Sequence, residues 1–128
     1  MSGAMRMAIA MLLAFAGVVA PVRASDADAD FATFLSRWRE AVATNDAEAV
    51  ASLTQVPFLF ESEPRDRQTV ARTVVPALLT ADVRRCLRTA TPLREDDRYV
   101  LSCAPYLFYL GRVDGQWRWV EFAADGEA

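Results

Sequence analysis

The stretch FYLGRVDGQWRWVEF, Phe108–Phe122, gathers five aromatic rings around one Asp-Gly step. A two-residue type I′ turn needs positive φ at both central positions, and Asp114-Gly115 supplies them at little cost. Counting outward from that turn sets Val113 opposite Gln116, Arg112 opposite Trp117, Leu110 opposite Trp119, Phe108 opposite Glu121 and Leu107 opposite Phe122. Opposed residues share a face of the sheet. One face therefore carries Phe108, Leu110, Arg112, Trp117, Trp119 and Glu121, and the other Leu107, Tyr109, Val113, Arg118, Val120 and Phe122. Both are rich in apolar bulk. A sheet with one wet face alternates apolar with polar residues, so this ribbon is expected to be covered on both sides.

Upstream, alternating patterns over Arg88–Arg94 and Arg98–Ala104 read as two more strands, joined by a turn at Glu95-Asp96-Asp97. Ala104-Pro105 is either a further turn or a bend in one long strand. Before Arg88 the period is helical. Phe31, Phe34, Leu35, Trp38 and Val42 recur at spacings of three and four, which stacks them on one face of a helix over Phe31–Thr44. The acidic SDADAD, Ser25–Asp30, is turn-prone and precedes it. Asp46 suits the N-cap of a short second helix through Ala49, Val50 and Leu53. Val56–Glu61 is β-prone, with Pro57 placing it at a strand start or an edge. Ser62–Arg67 reads as a charged loop. Pro76 disrupts a helix interior but suits a first turn, which divides the next segment into helices near Gln68–Val74 and Pro76–Leu87. Helices first and an antiparallel meander last predict an α+β domain with helices packed on one face of a curved sheet.

The N-terminus has its own logic. Arg6 precedes thirteen apolar residues, Met7–Val19, and Pro21 ends them. Small or modest residues at Val22 and Ala24 then fit a secretory signal cleaved after Ala24. Such a run is shorter than the roughly 20 residues a membrane-spanning helix needs. The expected mature chain, residues 25–128, is a single domain that is periplasmic or secreted. It holds 12 arginines against 17 carboxylates, a net −5. That acidity excludes a general nucleic-acid binder, whose affinity depends on neutralising phosphates. Cys86 and Cys103 remain, and an even cysteine count in an oxidising compartment favours a disulfide, the alternative being two buried thiols. No histidine is present, and two cysteines alone do not make a usual zinc site.

The predicted helices cover only one face of the sheet. Leaving several aromatic and aliphatic side chains wet is unfavourable by roughly 25 cal/mol per Å² and makes a larger patch than monomers usually tolerate. A homodimer through the sheet is the expected solution, with Trp119 placed at the interface.

The order of parts, F..FL..W..AV..ND opening the mature chain, then VPFLF, more helix, and YVLSC followed by FYLGRVDGQWRWVEF, resembles the nuclear transport factor 2-like superfamily. That superfamily includes ketosteroid isomerase and polyketide cyclase relatives, and the likeness is greatest to small secreted bacterial members without assigned activity. The resemblance covers nearly the whole mature chain and implies a cone, in which a bent sheet wraps the helices around a pocket and its outer face often dimerises. Enzymes of that superfamily often place a carboxylate base with tyrosine or aspartic donors, or a His-Asp pair, in the cone. Histidine is absent here, which removes the commonest acid-base side chain. Glu121 and Glu61 remain as candidate bases, each alternatively a rim carboxylate paired with arginine, Arg112 being the candidate partner of Glu121. Tyr99, Tyr106 and Tyr109 are candidate hydrogen-bond donors or plain packing residues. No serine lies in a G-x-S-x-G setting and no glycine-rich phosphate loop is present, so no cofactor is called for. The residues singled out for a pocket or interface are Trp38, Tyr99, Tyr106, Phe108, Trp117, Trp119 and Glu121. The reading is a non-enzymatic module that binds a small apolar or amphipathic ligand or associates through its sheet; the competing reading is a small isomerase or cyclase using Glu121 or Glu61 with tyrosine.

Overall fold

A computed structural model of the protein describes Gly17 and residues 24–124. The signal-peptide expectation falls on residues 1–24 and so lies almost entirely outside the described residues. Among those described, no helix is long and apolar enough to cross a membrane.

Helix α1 runs Ala24–Ala43, seven residues earlier than the periodicity predicts. Ser25–Asp30 alternates aspartate with alanine, the best helix former, and carboxylates are favourable at the positive end of a helix. Its buried stripe is the predicted one: Phe31, Phe34, Leu35, Trp38 and Val42. Helix α2, Ala47–Ser52, starts at Asp46, whose side chain accepts the Ala49 N–H at 3.1 Å. Strands β1 (Phe58–Phe60) and β2 (Glu63–Arg65) form a small antiparallel hairpin. The charged loop expected over Ser62–Arg67 instead contains β2; the turn before it is made by Glu61 and Ser62, both with positive φ, 51° and 63°.

The next helical segment passes straight through Pro76. It runs as α3 (Arg67–Thr69), a π-helical stretch (Val70–Val74) and α4 (Val75–Leu78). The Val75 N–H reaches back five residues to the Val70 carbonyl, and this wider turn accommodates a proline, which has no N–H of its own. The break comes instead at Leu79-Thr80, where Thr80 caps α5 (Ala81–Leu87) by accepting the Val83 N–H.

Strands β3 (Leu93–Glu95), β4 (Arg98–Cys103), β5 (Tyr106–Val113) and β6 (Gln116–Ala124) make a four-stranded antiparallel meander in sequence order. The fold is α+β. Asp114 and Gly115, with φ of 51° and 78°, form the predicted turn. Ala104-Pro105 is also a turn, since Cys103 pairs with Tyr106 across it. Next to the first turn the register is as counted, with Arg112 opposite Trp117 and Leu110 opposite Trp119. A bulge then shifts it by one, so that Tyr109 faces Glu121, Phe108 faces Phe122 and Leu107 faces Ala123. The expectation that Glu121 opposes Phe108 is thereby corrected. Strict alternation would turn Glu121 into the core and Phe122 out of it, and burying an unpaired carboxylate is costly. The extra residue, Val120, lets Trp119 and Phe122 both face inward.

Cys86 on α5 and Cys103 at the end of β4 form a disulfide, with an S–S distance of 2.06 Å. It staples the last helix to the sheet. The Leu53–Gln55 segment adds a parallel contact at the β6 edge: the Trp119 N–H donates to the Leu53 carbonyl and the Gln55 N–H to the Trp119 carbonyl, both at 2.9 Å.

Candidate functional site

Trp38, Phe58, Phe108 and Trp119 fill the space between the helices and the inner face of the sheet, each no more than 1% exposed. Trp119 packs its ring 4.7 Å from Phe58, 5.7 Å from Phe108 and 6.2 Å from Trp38, centre to centre. Three residues proposed for a pocket or interface, Trp38, Phe108 and Trp119, are therefore core. The face that carries Trp119 is the one the helices cover, and the expectation of Trp119 at a subunit interface is corrected accordingly.

The other four candidates disperse. Tyr99 stacks on Phe31 with ring centres 3.8 Å apart, and its hydroxyl donates to Asp28 at 3.1 Å. Tyr106 lies edge-on to Phe108 and Phe122. Trp117 packs against Phe31 and Tyr99, with the Arg112 guanidinium 5.3 Å above its ring. Glu121 stands half-exposed on the outer face, where it accepts a 2.8 Å hydrogen bond from Arg98 rather than pairing with Arg112. Glu61, the other candidate base, is exposed in the β1–β2 turn. The tyrosines and carboxylates are not gathered around a shared cavity.

Two surface features take the place of the expected pocket. The first is the outer face of the sheet. Across it the register aligns Leu93 with Val100 and Val100 with Tyr109, and beside them Ser102 with Leu107 and Leu107 with Ala123. Leu93 is 62% exposed and the other apolar side chains are half-buried among themselves. Val120, the bulged residue, lies over Gly111: a Cβ there would meet the Val120 side chain at 3.3 Å. A side chain at Gly111 would have to displace Val120 by a few tenths of an ångström. Arg98 extends across the middle, its guanidinium 4.1 Å from the Tyr109 ring centre, between Glu121 and Glu95. Burial pushes the Arg98 pKa down, but the hydrogen bond and charge of Glu121, joined by Glu95, outweigh it and hold the value above the ordinary one.

The second feature is an open cleft of about 590 Å³ between α1, the end of α2 and the β5–β6 turn. Phe34, Leu53 and Trp117, each nearly buried, contribute edges to its floor, and Asp30, Arg37 and Arg118 supply charge. Arg118 donates to the Trp117 carbonyl at 3.2 Å and to Gln116 Oε1 at 2.5 Å. Asp30 lies 4.0 Å from Arg112. Neither arginine of the cleft is paired with a carboxylate among the described residues. Sequence reading missed the cleft, because Arg37 and Arg118 are far apart along the chain; it grouped Leu107, Tyr109 and Val120 on one apolar face of the sheet but put the interface on the face of Trp119, and the bulge moves Glu121 and Phe122 to the opposite sides from those expected. The pattern WVEF held the one usable signal, a glutamate at an inward position beside a phenylalanine at an outward one.

Comparison with protein-family models, curated proteins and solved structures finds no match.

Proposed function

We propose that the protein is a non-enzymatic association module of the periplasm or cell exterior, and that it pairs with a second copy of itself through the outer face of its sheet. The observation that carries this reading is the strip Leu93, Val100, Leu107, Tyr109 and Val120 on the face opposite the helices. A second copy fits because the strip contains both signs of charge, Arg98 with Glu95 and Glu121. A two-fold axis through it would bring arginine of one protomer to carboxylate of the other, the self-complementarity an isologous interface requires. The disulfide is compatible with an oxidising compartment. The order of helices, small hairpin and meander is compatible with the nuclear transport factor 2-like assignment, in which a bent sheet forms a cone and its outer face often dimerises; here the space inside is occupied by aromatic side chains. Against an isomerase or cyclase stands the surface position of both Glu121 and Glu61.

The test is native mass spectrometry and sedimentation of the mature chain at micromolar concentration, with Val100→Glu and Leu107→Glu as variants. The expected result is a dimer for the wild type and monomers for both variants, with far-UV circular dichroism unchanged. A wild-type monomer, or variants that remain dimeric, would refute association through this face.

A further inference from the structure

We propose that Cys86 is a thiol-exchange site, at which a small anionic thiol forms a mixed disulfide and frees Cys103. The two sulfurs of the bridge are not equivalent. Cys86 is exposed on α5, whereas Cys103 is 0% exposed. Alternation along β4 accounts for the difference, turning Leu101 and Cys103 inward and Ser102 outward. Thiol–disulfide exchange is a displacement by a thiolate, and access decides which sulfur reacts. The thiolate must approach along the S–S axis, from beyond the sulfur it attacks. For Cys86 that approach starts on the solvent side of α5. For Cys103 it starts inside the core, where no thiol reaches in the folded protein. The surroundings of Cys86 also suit an anion. Residues 81–90 hold three arginines, Arg84, Arg85 and Arg88, against one carboxylate, Asp82, a net +2 in a chain whose overall charge is −3.

The step needs no co-reactant besides the thiol. Its thiolate sulfur bonds to Cys86 Sγ, the bond to Cys103 breaks, and the electron pair leaves on Cys103 Sγ. The incoming sulfur is oxidised and Cys103 is reduced. A bare thiolate in an apolar interior is costly, so Cys103 takes up a proton from solvent and stays in the core as a thiol. The two Cα atoms are 5.7 Å apart. While α5 keeps its place, Cys103 therefore lies beside the mixed disulfide and restores the bridge once the outside thiol is removed. Exchange at Cys86 thus unlinks α5 from the sheet reversibly. Cys103 faces inward, whereas Val100 and Leu107 face outward, so this chemistry is independent of association through the outer face and survives if that reading fails.

The probe is glutathione, added to the folded, oxidised mature chain and quenched with N-ethylmaleimide before peptide mass spectrometry. Glutathione is expected on Cys86, with Cys103 recovered as a thiol that the maleimide labels only after denaturation. Cys103→Ser and Cys86→Ser separate the two sulfurs. Under native conditions oxidised glutathione should modify Cys86 in the first at least about a hundredfold faster than Cys103 in the second, because a buried thiol reacts only when the core opens. In concentrated urea the two rates should converge. Cysteamine, whose ammonium group meets the arginines, should open the wild-type bridge more slowly than glutathione, each relative to its rate on a small model disulfide, and salt should narrow the gap. The wild-type adduct carries the test even if a serine variant fails to fold. Glutathione on Cys103, equal native rates in variants whose circular dichroism matches wild type, a wild-type bridge that opens only on unfolding, or no preference for glutathione over cysteamine at low salt would overturn the proposal.

Discussion

Trp119 distinguishes a core reading of the inner sheet face from an interface reading more sharply than any other residue. Its side chain is fully buried, surrounded by Trp38, Phe58 and Phe108, and its indole N–H donates to the Glu121 carbonyl at 2.9 Å across the bulge. Truncation of a buried tryptophan to alanine costs about 3–5 kcal/mol through lost burial and the cavity left behind. Leaving the Glu121 carbonyl without its donor adds about 1 kcal/mol. The sum, about 4–6 kcal/mol, is a large share of the roughly 5–15 kcal/mol by which small domains are stable. Trp119→Phe should keep most of the ring contact and lose mainly the hydrogen bond and some volume, a loss of about 1–2 kcal/mol. Urea unfolding followed by circular dichroism, at one fixed protein concentration so that self-association does not move the midpoint, measures both variants. An alanine variant within about 1 kcal/mol of wild type, with unchanged m-value, would refute the core placement. A variant that changed only the mass in solution would restore the interface reading.

Other consequences are open to simpler tests. Reduction of Cys86–Cys103, or replacement of both by serine, opens a loop with a sequence separation of 17. In the chain-entropy picture this lowers stability by about 3 kcal/mol, visible as a fall in the urea midpoint on adding reductant. Thr54→Val retains shape but deletes the buried hydroxyl that donates to the Val50 carbonyl at 2.7 Å. That carbonyl still accepts the Leu53 N–H, so the expected loss is only about 0.5–1.5 kcal/mol. Asp66 caps α3, and the Thr69 backbone N–H, aided by the Thr69 side chain, holds its pKa below the ordinary 3.8. A depressed carboxylate stabilises the fold above its unfolded pKa and loses that contribution as pH falls through the folded value. Asp66→Ala should therefore be less stable than wild type at neutral pH, with the difference shrinking as pH falls from 3.8 through the lower folded value; a difference that persisted unchanged in acid would contradict the cap.

The parts of the fold legible in the sequence are those governed by local rules. The α1 stripe, the Asp46 cap and the Asp114-Gly115 turn follow from period, side-chain chemistry and backbone tolerance within a few residues. The parts that were not legible depend on partners distant in sequence. Glu61-Ser62 takes a turn its residue types do not favour because Phe58 and Phe60 must face the core. The proline at position 76 looked like a helix boundary because a π-helical stretch has no sequence signature here. For the candidate sites, residue type identified aromatic bulk correctly but not its direction: Trp38, Phe108 and Trp119 are core, and Trp117 reaches the edge of the cleft beside α1.

One inserted residue accounts for most of that misdirection. Without the bulge at Val120, Glu121 would lie inside beside Phe108 and would be the natural candidate for a buried general base. With it, Glu121 is outside, engaged by Arg98, and Val120 covers Gly111. The same shift turns Phe122 inward, where it meets Phe58 and Phe60 of the small hairpin with ring centres 6.1 and 5.7 Å away. The bulge thus does two things at once: it turns Phe122 into the aromatic core in place of Glu121, and it sets Glu121 beside Arg98 among the apolar side chains of the opposite face.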